Sequence, residues 1–345
     1  MGGNVGGNIS TTIDGGTYQG IIVAGSRAPG SGVNVTVGGS INFTIQQGAS
    51  HISNPAAIAA GVDTAWIFAG QAVKGGKFTG TTTGISVNNA MVKYIVGGAA
   101  ADGENSVASV TDVLLSITDS TVTGGVWGAG YAYNGGKASA QNVTIRVSGE
   151  SSIFSNIYTG GIVLGGSGSV SYNSGTVIFE GSGDYLSFSK TVDGSGATNG
   201  STLVFNGYTG SFNGTITNFE RVVLTGDASV DIRNAYAGCA ELVFDLKNRT
   251  TEDAFITSMD SIQFSTGASI GLVLPTAITG EVITELMGVS DLDSIDGVTF
   301  GLLNSHSDTT FYDTLNLGEV YYGTGFELVV DYDSSGVLYS WISAT

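Results

Sequence analysis

The feature that most constrains the fold is an apolar triplet that returns at a nearly fixed interval. Leu203-Val204-Phe205, Val222-Val223-Leu224, Leu242-Val243-Phe244 and Ile262-Gln263-Phe264 follow one another at steps of 19, 20 and 20 residues. A short strand with two inward apolar residues cannot bury its face alone. A regular return of such strands therefore predicts rungs stacked on one another, with Leu203, Phe205, Val222, Leu224, Leu242, Phe244, Ile262 and Phe264 forming inward columns. Composition agrees: 55 glycines against 3 prolines favour strands joined by tight turns. Only Pro55 to Gly61 and Thr276 to Gly288 read as helix candidates, and both are short.

A looser repeat runs through the first half. An apolar pair leads into small residues and glycine at Ile22-Val23-Ala24-Gly25, Ile67-Phe68-Ala69-Gly70, Ile95-Val96-Gly97-Gly98, Val126-Trp127-Gly128-Ala129-Gly130 and Ile162-Val163-Leu164-Gly165-Gly166. Each is read as the start of a glycine-rich loop that protrudes on one side, and most are followed by an alternating strand such as Val143, Ile145 and Val147. The rungs take about 28 to 36 residues, the first one being longer. Three regions result: residues 1–201 as an N-terminal β-helix with glycine-rich protruding loops, 202–279 as regular 20-residue rungs, and 280–345 as an acidic cap. In the cap, Phe326-Glu327-Leu328-Val329-Val330 and Val337-Leu338-Tyr339-Ser340-Trp341-Ile342 read as a hairpin that blunts the end of the stack. The leucine-rich and propeller signatures are missing, which leaves an all-β parallel β-helix (β-solenoid) with a C-terminal capping hairpin.

The pattern of Val126-Trp127-Gly128-Ala129-Gly130, Ile157-Tyr158-Thr159-Gly160-Gly161 and Ile95-Val96-Gly97-Gly98 between Thr/Ser/Val strands resembles the passenger domains of autotransporter-type surface proteins. The resemblance covers about residues 10–275. It implies a right-handed helix, export from a bacterium to its cell surface or the extracellular space, and a role in adhesion or as an extracellular structural element. Neither the signal peptide nor the C-terminal membrane barrel of that family is found within these residues, so the resemblance implies a passenger excised from between them.

Charge and residue usage narrow the chemistry. A net charge of −18 with only 11 Lys and Arg argues against nucleic acid as a partner. Residues 250–345 hold 14 acids and no Lys or Arg, an acidic and well-solvated surface. Cys239, the single cysteine, sits among small residues and is expected to be buried. No apolar run approaches the roughly 20 residues that span a bilayer. The motifs of β-helical pectin hydrolases do not occur. Asp119 and Glu150 could stack across rungs but are read as solvated turn residues. Ser305-His306-Ser307-Asp308 is too local for a catalytic triad and reads as a polar turn. With two histidines and one cysteine, no zinc or redox centre is expected. Gly165-Gly166-Ser167-Gly168-Ser169-Val170 has Val where a calcium-binding repeat needs Asp, Asp331-Tyr332-Asp333-Ser334-Ser335-Gly336 lacks its closing Glu, and Asp291, Asp293 and Asp296 make no complete ligand set. The reading is thus of a non-catalytic protein without cofactor or metal, with a polysaccharide-acting enzyme or a self-associating module as alternatives.

One cluster points to recognition. Trp127, Tyr131, Tyr133 and Tyr158 lie in or beside the glycine segments, whereas core strands use aliphatic residues and Phe. Aromatic rings of this kind offer flat faces for a glycan or anchors for a protein of host or bacterial surface. In an extended segment Tyr131 and Tyr133 share one side, and Trp127 and Tyr158 occupy equivalent places in successive repeats. The competing reading is that Trp127 and Tyr158 cap the core where strands turn.

Overall fold

The computed structural model describes residues 3–59, 63–289 and 295–345. Asp291 and Asp293 lie outside the described residues, so the acidic set formed with Asp296 has no geometry here. The protein is a parallel β-helix with an antiparallel sheet at its C-terminal part. The chain forms two compact units. One holds Met1–Ile178 and Tyr185–Ser201, the other Phe179–Asp184 and Thr202–Thr345.

In the first unit each turn of chain up to Leu164 contributes a strand to each of four parallel sheets, which we call A to D. Sheet A contains the long strands Asn34–Gln46, Lys77–Asn88, Val107–Thr118 and Lys137–Ser148. Phe43 pairs with Ile85, Ile85 with Leu115 and Leu115 with Ile145, so successive turns take 42, 30 and 30 residues. The long turn accommodates the only described helix, Pro55–Ala59, whose start is capped by Asn54 Oδ1 accepting from the Ala56 amide at 2.9 Å. Period-two alternation places Ile45, Val87, Ile117 and Val147 in one fully buried column. Each long strand ends at a corner that needs a left-handed residue: Gln47, Asn89 and Asp119 sit at φ 56°, 47° and 49°.

Sheets B, C and D are made of strands of two to four residues separated by small residues. The glycine segments expected to protrude at Ala69-Gly70, Gly97-Gly98 and Gly128-Ala129-Gly130 are instead buried corners of the coil, whereas Val163-Leu164-Gly165-Gly166 is exposed. A Cβ on Gly98 would lie 2.0 Å from the Ala129 carbonyl oxygen, so the backbones of neighbouring turns touch there and only glycine fits. The repeat aligns as expected through Ile22, Ile67, Ile95 and Val126. Its fifth member differs: Ile157 pairs with Val126, while Ile162 pairs with Tyr131 in sheet D. Ile157-Tyr158-Thr159-Gly160 has the same apolar, aromatic, small order as Val126-Trp127-Gly128, and that order outweighs the purely aliphatic match.

In the second unit Leu203, Val222 and Leu242 stack, as do Phe205, Leu224 and Phe244. The fourth triplet does not follow. Ile270 and Leu272 continue the columns, and Phe300 and Leu302 follow them, whereas Ile262 pairs with Tyr236 and Phe264 with Cys239. The pairing slips between Ala237, Cys239 and Glu241, where strand Ile262–Val273 is longer than the stretch it faces, and this bulge moves the core residues eight positions along. Phe264 is consequently only half-buried.

The middle residues of the stacked triplets are buried too: Val223 and Val243 point away from the interior, yet are 1 % and 0 % exposed. A strap of residues 304–312 covers that outer face. It is held by His306 Nδ1 at 2.7 Å from Asp245 Oδ2, and by Arg221, which donates to the Asp308 carbonyl and sits 3.3 Å from Glu241. The Phe311 ring occupies space left by Gly271 and Gly301, the next residues in the column of Val223 and Val243. Burial on both faces explains why these strands read as continuous apolar runs.

Stacking ends where strand direction reverses. Asp313–Leu315 pairs antiparallel with Thr299–Leu303, and the hairpin of Phe326–Tyr332 and Val337–Ala344 joins Glu281–Gly288 and Tyr321–Gly323 in a four-stranded antiparallel sheet. The expected hairpin is present. The expected helix over Thr276 to Gly288 is not: Glu281–Gly288 is a strand, because Thr284 and Leu286 face inward while Ile283 and Glu285 face water, and the β-branched Val282-Ile283-Thr284 run suits a pleat.

Candidate functional site

The aromatic residues gather where sheets C and D meet in the first unit. In sheet C, Ile67, Ile95, Val126 and Ile157 point inward and are fully buried, so alternation turns Trp66, Phe68, Tyr94, Val96, Trp127 and Tyr158 outward. In sheet D, Ala72, Ala101 and Ala132 point inward, and Ala100, Tyr131 and Tyr133 outward. The corner between the two sheets bends so that outward side chains converge. Phe68, Val96 and Ala100 are buried there as a small external apolar cluster, with Trp66, Trp127 and Tyr131 packed half-exposed against it.

Ring packing is continuous across turns. Trp66 stacks on Tyr94 at 4.5 Å and 20°, Trp127 on Tyr158 at 5.9 Å and 7°, and Trp66 lies 5.5 Å from Trp127. Tyr131 reaches back over Ala100, whose short side chain leaves room, to sit 5.2 Å from both Trp66 and Phe68. Tyr133 stacks on Tyr131 at 6.3 Å. Two glycines make the ladder fit: a Cβ on Gly125 would fall 2.2 Å from the Trp127 ring, and one on Gly124 would fall 2.4 Å from Tyr94.

Polar groups hold one flank in place. Asp63 Oδ2 pairs with Lys93 Nζ at 2.5 Å, Ser53 Oγ donates to Asp63 Oδ1 at 2.6 Å, and Lys93 donates to Ser53 Oγ at 3.0 Å. Lys93 Nζ also lies 5.2 Å from the Tyr94 ring centroid, and Trp66 Nε1 donates to the Asp63 carbonyl at 3.1 Å. Burial pushes the Asp63 carboxyl up, but hydrogen bonds from Lys93, Ser53 and the Ala65 amide outweigh it and hold the group at about 2. On the other flank Asn156 Nδ2 donates to the Tyr158 hydroxyl at 2.7 Å. Burial, then the charges of Asp102 and Tyr133, push the Tyr131 hydroxyl up to about 12, so it stays a neutral donor at physiological pH.

The four residues singled out from sequence, Trp127, Tyr131, Tyr133 and Tyr158, thus share one cleft: Tyr131 and Tyr133 lie on one side, and Trp127 stacks on Tyr158. They stand on strands rather than on protruding loops. Trp66, Phe68 and Tyr94 were missed. Their signal was present, since Trp66 and Tyr94 immediately precede Ile67 and Ile95, the aligned members of the repeat.

Other groups weighed for chemistry have structural partners. Asp119 Oδ1 accepts from the Glu150 amide at 2.9 Å and so fastens one corner to the next. Ser305 and Ser307 hydrogen-bond each other at 2.9 Å beside His306, which faces Asp245 instead of forming a local triad. Asp333 Oδ1 accepts from the Ser335 and Val337 amides, which makes the acidic loop a hairpin turn. Burial pushes the Cys239 thiol up to about 12, and its side chain is fully enclosed. Among the described residues no three His, Cys, Asp or Glu gather as a metal set, and no helix is long and apolar enough to cross a membrane.

The chain matches no protein-family model, and no curated protein is similar to it.

Proposed function

We propose that the protein is a non-catalytic recognition module of a bacterial cell surface or extracellular space, acting in adhesion through the aromatic cleft between sheets C and D. The observation that carries this reading is the half-exposed ring ladder from Trp66 to Tyr158. Six large rings are arranged on the outside of a coil whose interior is filled mostly by aliphatic residues and Phe. Such rings present apolar faces to sugar C–H groups or to a protein anchor, and the fixed Asp63–Lys93 pair supplies an acceptor and a donor beside them. A glycan of a host or bacterial surface suits this combination. The resemblance of the glycine and aromatic rungs to autotransporter passengers supports the same role and location.

Binding of the protein to cells and to immobilised glycans tests the proposal. A Tyr131→Ala, Tyr133→Ala double variant and a Trp127→Ala variant, each checked for an unchanged circular dichroism spectrum, should lose at least about tenfold in affinity, the scale of a hot-spot anchor. Undiminished binding by both would reject the cleft as the contact.

A further inference from the structure

A second surface with ligand-binding chemistry lies in the C-terminal antiparallel sheet. One face of that sheet is core: Thr284, Leu328, Val330, Leu338, Ser340 and Ile342 are buried. The opposite face is in water, and it is not the polar face that alternation usually gives an exposed sheet. Ile283, Trp341 and Val329 form one row across three strands, and Glu285, Tyr339 and Asp331 form the next. Ile283 is 53 % exposed. Trp341 is fixed in place by donating from Nε1 to Glu281 Oε1 at 2.7 Å. Ile283, Glu285, Val329, Tyr339 and Trp341, together with Asp333 and Val337, line a cleft of about 410 Å³.

The charge around the cleft is of one sign. Glu281, Glu285, Glu327, Asp331 and Asp333 belong to a stretch, residues 250–345, that has no Lys or Arg. Lys247 and Arg249 line a different cleft, with Val282 and Ile342. Glu285 and Glu327 are in none of the ion pairs formed among the described residues. An aromatic face carries negative potential at its centre, and carboxylates at its edge add to it. The two ingredients select a cation, and the apolar row of Ile283 and Val329 selects one carried on an apolar chain. Carboxylates only accept, and the Trp341 indole N–H is already donated to Glu281, which leaves the Tyr339 hydroxyl as the one free side-chain donor among the described residues lining the cleft, fewer than a neutral sugar needs.

We propose that this cleft binds a short extended peptide segment bearing arginine or lysine, its cationic head over Trp341 and Tyr339 and against Glu285, and its apolar side chains on Ile283 and Val329. Three strands at about 4.8 Å spacing span about 10 Å, the reach of three or four extended residues. The site is separate from the ladder of the first unit and does not depend on the adhesive reading.

Calorimetric titration of the full chain with an alternating Arg-Leu peptide of about eight residues, and with its Gln-Leu counterpart, decides the matter. The Arg-Leu peptide should bind, with affinity falling as salt is raised from about 50 to about 200 mM, and the Gln-Leu peptide should not. Trp341→Leu, which keeps apolar bulk but removes the π face, and Glu285→Gln should each weaken binding at least about fivefold. Asp296→Asn removes an equal charge elsewhere in the acidic region and should change it by less than about twofold. Equal binding of the Gln-Leu peptide overturns the proposal. So does an equal loss in Asp296→Asn, full affinity in Trp341→Leu, or displacement of the peptide by a neutral oligosaccharide.

Discussion

The two units stack parallel strands in different ways, and the difference lies in what covers the outside of the coil. In the first unit the outer face of sheet A is wet: Leu114 is 48 % exposed, and Asn142 and Asp112 hydrogen-bond along the surface at 2.8 Å. The outward residues that do pack into an apolar cluster, Phe68, Val96 and Ala100 with Trp66, Trp127 and Tyr131, lie at the corner of sheets C and D. In the second unit the strap of residues 304–312 closes the outer face of the long strands, and Val223 and Val243 are as buried as the interior columns. A coil can therefore be stabilised by its interior alone, with its external surface left open, or from both sides with the outer face shut.

The most direct way to break that comparison is to place a charge on equivalent outward positions. Val223→Asp buries an unpaired carboxylate beneath the strap and should destabilise the second unit by about 4 kcal/mol or more. Leu114→Asp puts the same group in water and should change stability by less than about 0.5 kcal/mol. Urea denaturation of each variant measures both. Similar midpoints would show that the strap does not seal the face.

Corner packing gives the next largest effect. Gly98 leaves no room for a methyl group, since the obstacle is a backbone oxygen of the adjacent turn, whereas a Cβ on Gly280 in the second unit meets nothing within 4 Å. Gly98→Ala should cost about 1–3 kcal/mol through overpacking, and Gly280→Ala close to nothing. A thermal midpoint unchanged in Gly98→Ala would mean that turns in the first unit are looser than their corners imply.

How far these contrasts can be read from sequence depends on the range of the interaction that sets them. Alternation and the short repeats are local, so Leu203, Val222 and Leu242 and the columns of sheet A were legible. Trp127 and Tyr158 were placed as equivalents for the same reason. The slip that replaces Ile262 by Ile270 was not legible, because a bulge changes the count without changing the apolar pattern on either side. Nor was the strap: its pins join His306 to Asp245 and Asp308 to Arg221, residues 61 and 87 positions apart. Glycine misled in one respect. Its abundance suggested protruding loops, yet Gly98, Gly128 and Gly136 are needed where backbones of successive turns approach, and that requirement looks identical to flexibility in a sequence. Trp66 and Tyr94 stand beside the aligned Ile67 and Ile95 but three or more residues from the nearest glycine, so the glycine pattern does not mark them.

Acid should act on the first unit through a buried histidine, whereas His306, the histidine of the second unit, is exposed. His51 faces the interior, with Nε2 2.6 Å from the Gly20 carbonyl and Nδ1 buried without a partner. Burial lowers its pKa, more than the Gly20 carbonyl and Asp63 raise it. The folded state therefore resists a proton that the unfolded chain accepts, so stability is full above the unfolded value of about 6.5 and is lost as pH falls from there toward the lowered folded value. One proton limits the slope to about 1.4 kcal/mol per pH unit. Hydrogen exchange of the amides near residues 41–52 should speed up between about pH 6.5 and 5 relative to that of residues 222–244, after correction for intrinsic rates, and His51→Gln should flatten the difference. An unaltered pH dependence in His51→Gln would assign the acid response elsewhere.

The smallest effect concerns whether the external rings act as a packed unit or as independent surfaces. Trp127 and Tyr158 lie nearly parallel at 5.9 Å, in register on adjacent strands, and Asn156 holds the tyrosine hydroxyl. A pair fixed in this way should show a coupling of about 0.5–1.5 kcal/mol in a double-mutant cycle of Trp127→Ala and Tyr158→Ala. Val204 and Val223, paired across adjacent strands of the second unit, provide the internal reference for a packed outer face. If the ladder is a recognition surface, its coupling must be large enough to keep the rings aligned before a partner arrives, while each ring keeps a face in water. Coupling near zero would mean that the rings move separately and that the stacked geometry is not a preformed platform. In that case the adhesive contact would have to order them on binding, and affinity would fall by the entropy of fixing each side chain.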